Sequence, residues 1–378
     1  DKKGLSMLDD ENATASQPTL SRLFAQLSSE ANLPVLRSAI FDSTVKAVHA
    51  IEGKRLDQVT LDIDSYPIAV HGQQAGSEYN GYYRTRCYHP LGVMLGETGH
   101  WLDLELRPGN VHTAEGAEDM LKPLIDRARL DLSDNVRARG DAGYVGPKIL
   151  AMLDENEVPF AIRLPVNSYL QEYVEQNSVR PPGRPPGYER IWCYDIEYRA
   201  LTWKKARRVV QVVVETPGEL FLKTLFIVTS FTKEELCDRD VLDFYRERGT
   251  MEGHIGETKD VIDGSLSSTN RKKAVYRWLP VADHAEPIDP ERVNAAALCM
   301  HALAFNLLNT FRILAGASDF VDEPPELGLE RARRLLHVAG RIIVSARRAT
   351  LVVMDEAISA WKRVCARLKE LHPPLVGA

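Results

Sequence analysis

Four polar side chains near the middle of the chain, Tyr245, Arg248, Glu252 and Lys259, recur at helical spacing within FYRERGTMEGHIGETK. At about 100° per residue, steps of three, seven and fourteen fall at roughly 300°, 340° and 320° on a helical wheel. One narrow face then carries a carboxylate, two cations and a phenol, groups that suit the binding of metal and phosphate. Glu247 lies roughly 200° and Glu257 roughly 120° from Tyr245, so both acids point off this stripe. The bland alternative is a salt-bridged solvent face. Arg248 and Glu252 are i and i+4, a pairing worth only about 0.3–0.5 kcal/mol.

Two further segments offer acids. VTLDIDSYPIAV reads as a strand, and Asp62 and Asp64 share one of its faces. An acid inside an apolar strand is costly unless it is paired or binds a metal; a wet edge strand is the alternative. Asp141, in RGDAGY, ends a short strand just before a helix, where open α/β sheets place ligands. Alone, such a run is also an ordinary turn.

The spacing Y-x-x-R-x-x-x-E-x-x-x-x-x-x-K resembles the signature around the third acid in a branch of bacterial insertion-sequence transposases. These are DDE enzymes with an RNase H-like core. Asp64-Ser65 is similar to the first-acid motif, with Tyr66 where threonine is common. HGQQ at 71–74 resembles the following G-x-Q segment, and Asp141-Ala142-Gly143-Tyr144 fits the second-acid motif. QPTLSRL and ERVNAAALCMHALAFNLL, with Asn294, also resemble flanking segments, so the likeness runs over roughly residues 12–370.

The resemblance implies cut-and-paste transposition with Asp64, Asp141 and Glu252 as catalytic residues and metal ligands; Asp62 is the fallback for the first. These acids are 77 and 111 residues apart. Two Mg²⁺ or Mn²⁺ ions about 3.5–4 Å apart would stabilise the entering and leaving oxygens of in-line attack on a phosphodiester. Tyr245, Arg248 and Lys259 are expected to contact DNA phosphates. The implied partners are double-stranded DNA, as terminal inverted repeats and target, and a second copy of the chain. The alternatives are an RNase H-like nuclease without strand transfer, or a domesticated DNA-binding protein.

The elements that must position these residues follow from the hydrophobic period. Residues 1–57 read as an N-terminal helical segment. Residues 58–168 read as three consecutive strands, then helix, strand, helix, strand, the first part of an RNase H-like α/β core. RPPGRPPG is a hinge into 169–237, which reads as a β-rich insertion. Residues 238–318 return to helix with Glu252, and 319–378 form a C-terminal region, helical with one β-like stretch, RIIVSARRATLVVM. The expected fold is a mixed RNase H-like sheet with flanking helices, interrupted by the insertion. TWKKARR reads as a basic turn inside it. Lys204, Lys205, Arg207 and Arg208 beside Trp203 could grip a DNA backbone or an unstacked base, or could simply cap a solvated hairpin.

A net charge of −6 argues mildly against nucleic acid, but a site for divalent metals itself concentrates acids. Other basic clusters are Arg271–Lys273 and the arginines of 331–348. No apolar run approaches the roughly 20 residues that span a bilayer. The five cysteines are scattered without metal-ligand spacing, as expected of reduced thiols in a cytoplasmic protein. No histidine pair has metal-ligand spacing and no glycine-rich nucleotide loop occurs. The chain starts without Met and without the DNA-binding segment that usually precedes this core, so it reads as a fragment or a processed product.

Overall fold

The computed structural model describes residues 17–72, 74–183, 187–262, 266, 289–316, 328–336, 340–345, 348–353 and 355–371. Two helices, α1 (Gln17–Leu27) and α2 (Asn32–Glu52), precede the strands β1 (Val59–Ser65), β2 (Ile68–Ala69), β3 (Glu78–Asn80), β4 (Thr85–Tyr88), β5 (Leu91–Leu95) and β6 (His100–Glu105). Then come α3 (Ala117–Asp131), β7 (Val136–Gly140), α4 (Pro147–Glu155), β8 (Phe160–Leu164) and α5 (Ser168–Asn177). Three longer strands follow, β9 (Arg190–Tyr198), β10 (Arg207–Glu215) and β11 (Lys223–Thr229). The chain then forms α6 (Asp238–Arg246), α7 (Gly249–Ile262), α8 (Pro290–Gly316) and α9 (Leu329–Leu336). A hairpin of β12 (Gly340–Ser345) and β13 (Arg348–Val353) and the helix α10 (Asp355–Leu371) follow.

Eight strands form one mixed sheet in the order β6-β5-β1-β7-β8-β11-β10-β9. β1, β7 and β8 run parallel; the other pairings are antiparallel. Leu61, Ile63, Val136, Ala138, Phe160 and Ile162 face one side, where they pack with residues of α3 and α4 such as Leu121, Ile125, Leu150 and Leu153. The opposite side is covered by α6 over β10 and β11, and by α7 and α8 over β5 and β6. This second side carries Asp62, Asp64 and Arg139. A small sheet, β2-β4-β3, stands beside the end of β1.

Residues 169–237 are β-rich as expected, but they do not stand apart from the core. β11 pairs with β8 through Phe226↔Leu164 and Thr229↔Ala161, so β9–β11 extend the central sheet. β10 is buried on both faces along nearly its whole length, which only an interior strand allows. α8 is long and apolar enough by composition to cross a membrane, contrary to the expectation from sequence. Half of its most apolar stretch is buried within the protein, and it packs on α2 and β6.

α8 also closes an edge of the sheet. Asn306 accepts a hydrogen bond from Trp101 N (2.8 Å) and donates to Trp101 O (2.9 Å), matching the backbone of edge strand β6 as another strand would. Asn309 donates to Thr98 O (2.9 Å). Asn294 donates to the Tyr88 hydroxyl (2.8 Å) and ties α8 to β4. RIIVSARRATLVVM, read as β-like, forms the β12–β13 hairpin. Arg271–Lys273 lie outside the described residues.

Candidate active site

The two acids of β1 meet different fates. Asp62 is buried and receives a two-pronged hydrogen bond from Arg139 on β7, Nε to Oδ1 at 2.6 Å and Nη2 to Oδ2 at 2.8 Å. Arg139 also donates to Glu247 Oε2 and to Phe244 O, both at 2.7 Å. Burial opposes its charge, yet Asp62 and Glu247 hold its pKa above the ordinary arginine range. Gly96 leaves room for this pair: a Cβ there would lie 2.6 Å from Arg139 Nη2 and 3.0 Å from Asp62 Oδ2. Asp62 is thus committed to an internal ion pair.

Asp64 lies two residues further, where the sheet opens. Its Oδ1 accepts from Ser65 N (2.8 Å) and its Oδ2 from Arg248 Nη1 (2.9 Å). Arg248 Nη2 donates to Glu252 Oε1 at 2.6 Å, so one guanidinium joins the first and third acids of the expected set. Burial pushes the Asp64 carboxyl up to about 6 against the pull of Arg248 and the Ser65 N–H, and the charge of Asp141 adds to the rise. Arg248 is held above the ordinary arginine range despite its burial, by Asp64, Tyr245, Glu252 and Asp141. Asp141 therefore lies within the field of both.

The stripe does not lie on one continuous helix. α6 ends at Arg246 and α7 starts at Gly249, with Arg248 at the joint. In an unbroken helix Phe244 O would accept from Arg248 N. Arg139 takes that carbonyl instead, and Arg248 N turns to Tyr245 O (3.1 Å). Glu247 points away to Arg139, and Glu257 points away to His254 Nδ1 (3.3 Å) and to the backbone N–H of Leu329 at the start of α9 (3.2 Å). The two acids judged to lie off the stripe do so.

Asp141 caps a short 3-10 turn, residues 142–144, its Oδ1 accepting from Gly143 N at 2.8 Å. A Cβ on Gly143 would sit 2.6 Å from Thr113 Cγ2, so this position requires glycine. Behind the acids, His89 Nδ1 lies 3.1 Å from Val111 O, a pure acceptor, so Nδ1 carries the proton. Burial keeps His89 below the ordinary histidine range, and its Nε2 accepts from Ser65 Oγ at 3.0 Å. Ser65 is thereby fixed beside Asp64.

Of the remaining expected contacts, Lys259 lies over the Tyr66 ring with Nζ 4.9 Å from its centre. Burial draws its pKa down, while Asp260 and Asp64 draw it up. Tyr245 is half-buried beside Arg248. Among the described residues no three acids, histidines or cysteines form a ready-made metal cluster, so the expected convergence of three carboxylates is not preformed. Two of them are turned onto Arg248.

The basic turn does not present the open DNA grip expected of it. Trp203 is buried, Arg207 is bonded to Asp154 (3.1 and 2.7 Å), and Arg208 is bonded to Asp195 and three backbone carbonyls. Lys205 pairs with Asp154 at 3.0 Å, and Lys204 is exposed. The register Tyr198↔Arg207 and Arg208↔Thr229, with Thr229↔Ala161, puts this turn at the amino ends of β7 and β8. Asp64 and Asp141 lie at the opposite, carboxyl ends. Sequence reasoning passed over Arg163, exposed on β8 on the same face as Arg139. An arginine inside the apolar run FAIRLP was the available signal. It also passed over Tyr82 and Tyr83, 88% and 36% exposed, on the turn between β3 and β4.

Residues 2–372 match the family model described as transposase DDE domain group 1. No curated protein matches the chain. Among solved structures, a cryo-EM structure of the piggyBac transposase synaptic complex with hairpin DNA is similar with a TM-score of 0.41 and 11% identity. The match covers 98% of this chain and 68% of that one.

Proposed function

The chain belongs to the group 1 DDE transposases, and from that premise we propose that it cuts transposon-end DNA and joins it to a target by cut-and-paste transposition. Enzymes of this family work with divalent metal ions. In our reading Asp64, Asp141 and Glu252 hold two ions, Mg²⁺ or Mn²⁺. The observation that carries it is Arg248, bonded at once to Asp64 and Glu252 while Asp141 adds to its field. A cation is already stabilised between the first and third acids, so the donor set fits added positive charge. Bound metal would polarise the scissile phosphate and activate the attacking hydroxyl.

The protein's own residues do the rest. For both carboxylates to hold metal, Arg248 releases them, and its fork is then available for a phosphate oxygen. Lys259, kept near Asp64 by the Tyr66 ring, supplies a second positive charge, and the Tyr245 hydroxyl a donor. Ser65, held by His89, keeps the Asp64 backbone in place through the reaction. DNA ends, target DNA and a second copy of the chain are the partners in this reading, in the bacterial cytoplasm.

A strand-transfer assay with a pre-cut end tests it. The expected result is joined product in Mg²⁺ or Mn²⁺, lost in Glu252→Ala with DNA binding retained. Cleavage without joining would favour a nuclease. Binding with neither would favour a domesticated DNA-binding protein.

A further inference from the structure

The exposed aromatic beside a cation that TWKKARR was expected to offer DNA occurs elsewhere, at Gly81–Arg84. Tyr82 is 88% exposed and meets Tyr83 edge to face, ring centres 5.0 Å apart. Tyr83 in turn meets the His89 ring at 5.8 Å, the histidine that holds Ser65 beside Asp64. Both Asp64 and Asp141 act on the Tyr83 hydroxyl, after burial, to raise its pKa. The turn is continuous with the candidate active site.

It is also rigid. Asn80 Oδ1 accepts from the backbone N–H groups of Tyr82 (2.9 Å) and Tyr83 (3.1 Å), and its Nδ2 donates to Gly109 O (2.6 Å). Gly109 packs so closely that a Cβ would lie 2.4 Å from the backbone oxygens of Cys87 and Glu78. Arg84 adopts a left-handed backbone (φ 54°), is exposed, and makes no ion pair among the described residues. Beyond its edge-to-face contact with Tyr83, a nearly fully exposed tyrosine on so fixed a turn adds nothing to the core, and an aromatic held ready pays little entropy on binding.

We propose that Tyr82 and Tyr83 form a stacking site for a DNA base unpaired beside the phosphate at Asp64 and Asp141, with Arg84 on the adjoining backbone. Unpaired bases bind proteins chiefly by stacking on aromatic rings, largely irrespective of sequence. The location rests on the functional reading above, but the stacking does not require catalysis.

The test is metal-free binding of two probes, a blunt duplex and the same duplex with a short single-stranded overhang carrying 2-aminopurine. The native chain is expected to prefer the overhang and to quench its fluorescence. Tyr82→Ala should lower overhang affinity by between about fivefold and a hundredfold, leaving the blunt duplex unchanged. Tyr82→Phe should retain both the preference and the quenching. Equal affinity of native chain and Tyr82→Ala for the overhang, or equal loss on both probes, overturns the proposal. Because no metal is present, failure here is distinct from failure of strand transfer, which Glu252→Ala reports.

Discussion

Exchanging Asp62 and Asp64 one at a time for asparagine should give opposite results, although both stand on one face of β1. Burial pushes the Asp62 carboxyl above its ordinary range against the pull of Arg139. Asp62→Asn keeps one acceptor oxygen of the two-pronged bond but removes the buried countercharge of Arg139, whose side chain is 2% exposed. Breaking one side of a buried ion pair costs about 3–5 kcal/mol, a large part of the roughly 5–15 kcal/mol that holds a domain. The double replacement Asp62→Leu with Arg139→Met should recover most of that loss, since neither charge then stays buried alone. Asp64→Asn should not destabilise, because its amide oxygen can still accept the single bond from Arg248, which also keeps Glu252. The Asp64 carboxyl titrates near 6 rather than the ordinary 3.8, so the folded chain holds that proton more tightly than the unfolded one. The charged form therefore costs stability above pH 6, up to about 3 kcal/mol. That cost disappears as pH falls toward 3.8, and asparagine removes it throughout.

Urea unfolding at pH 8, followed by tryptophan fluorescence, reads both effects. Metal-dependent cleavage, measured where each variant is still folded, should survive Asp62→Asn and vanish in Asp64→Asn. An Asp62→Asn loss below about 1 kcal/mol, or a folded Asp62→Asn chain without cleavage, would refute the division of roles.

Glu252→Ala should abolish cleavage, whereas Glu257→Ala should cost about 0.5–2 kcal/mol of stability through the lost contact at the start of α9; cleavage rates and thermal midpoints separate the two. His100, buried between Thr98 and Thr310, is lowered to about 3 by burial, with Arg312 and His254 adding to it. The unfolded chain gains its proton below pH 6.5 and the folded chain does not, so stability should fall by up to about 1.4 kcal/mol per pH unit below 6.5. His100→Gln should flatten that limb of a urea-midpoint series. Arg207→Ala should lower the unfolding free energy by about 1–3 kcal/mol, while Lys204→Ala stays within about 0.5 kcal/mol.

Local chemistry carried much of the site. Asp141 was readable from its place at a strand end and from the Asp141-Ala142-Gly143-Tyr144 motif, although the contact with Thr113 that leaves no room beside Gly143 was not. Glu257 was readable as off the stripe because it lies within the one unbroken helix α7. The break at Glu247–Arg248 was not readable, because its cause, Arg139 taking Phe244 O, lies 105 residues away. The same holds for Arg207, whose partner Asp154 is 53 residues back. Asp62 and Asp64 share period and face; only their depth from the end of the sheet tells them apart. The run VVQVVVE did carry a missed signal, since a strand apolar on both faces belongs inside a sheet.

The side-chain amide that closes β6 comes from a residue 205 positions further along the chain. During synthesis, β5 and β6 can pair long before Asn306 leaves the ribosome. For that interval Thr44 of α2 can already donate to Trp101 O, but Trp101 N lacks its acceptor and is open to any neighbouring chain. Crowded nascent chains halted ahead of α8 should therefore associate through this edge, and release past Asn306 should end the exposure. The order of emergence, more than the final energy, sets when the newly made protein is safe from its own copies.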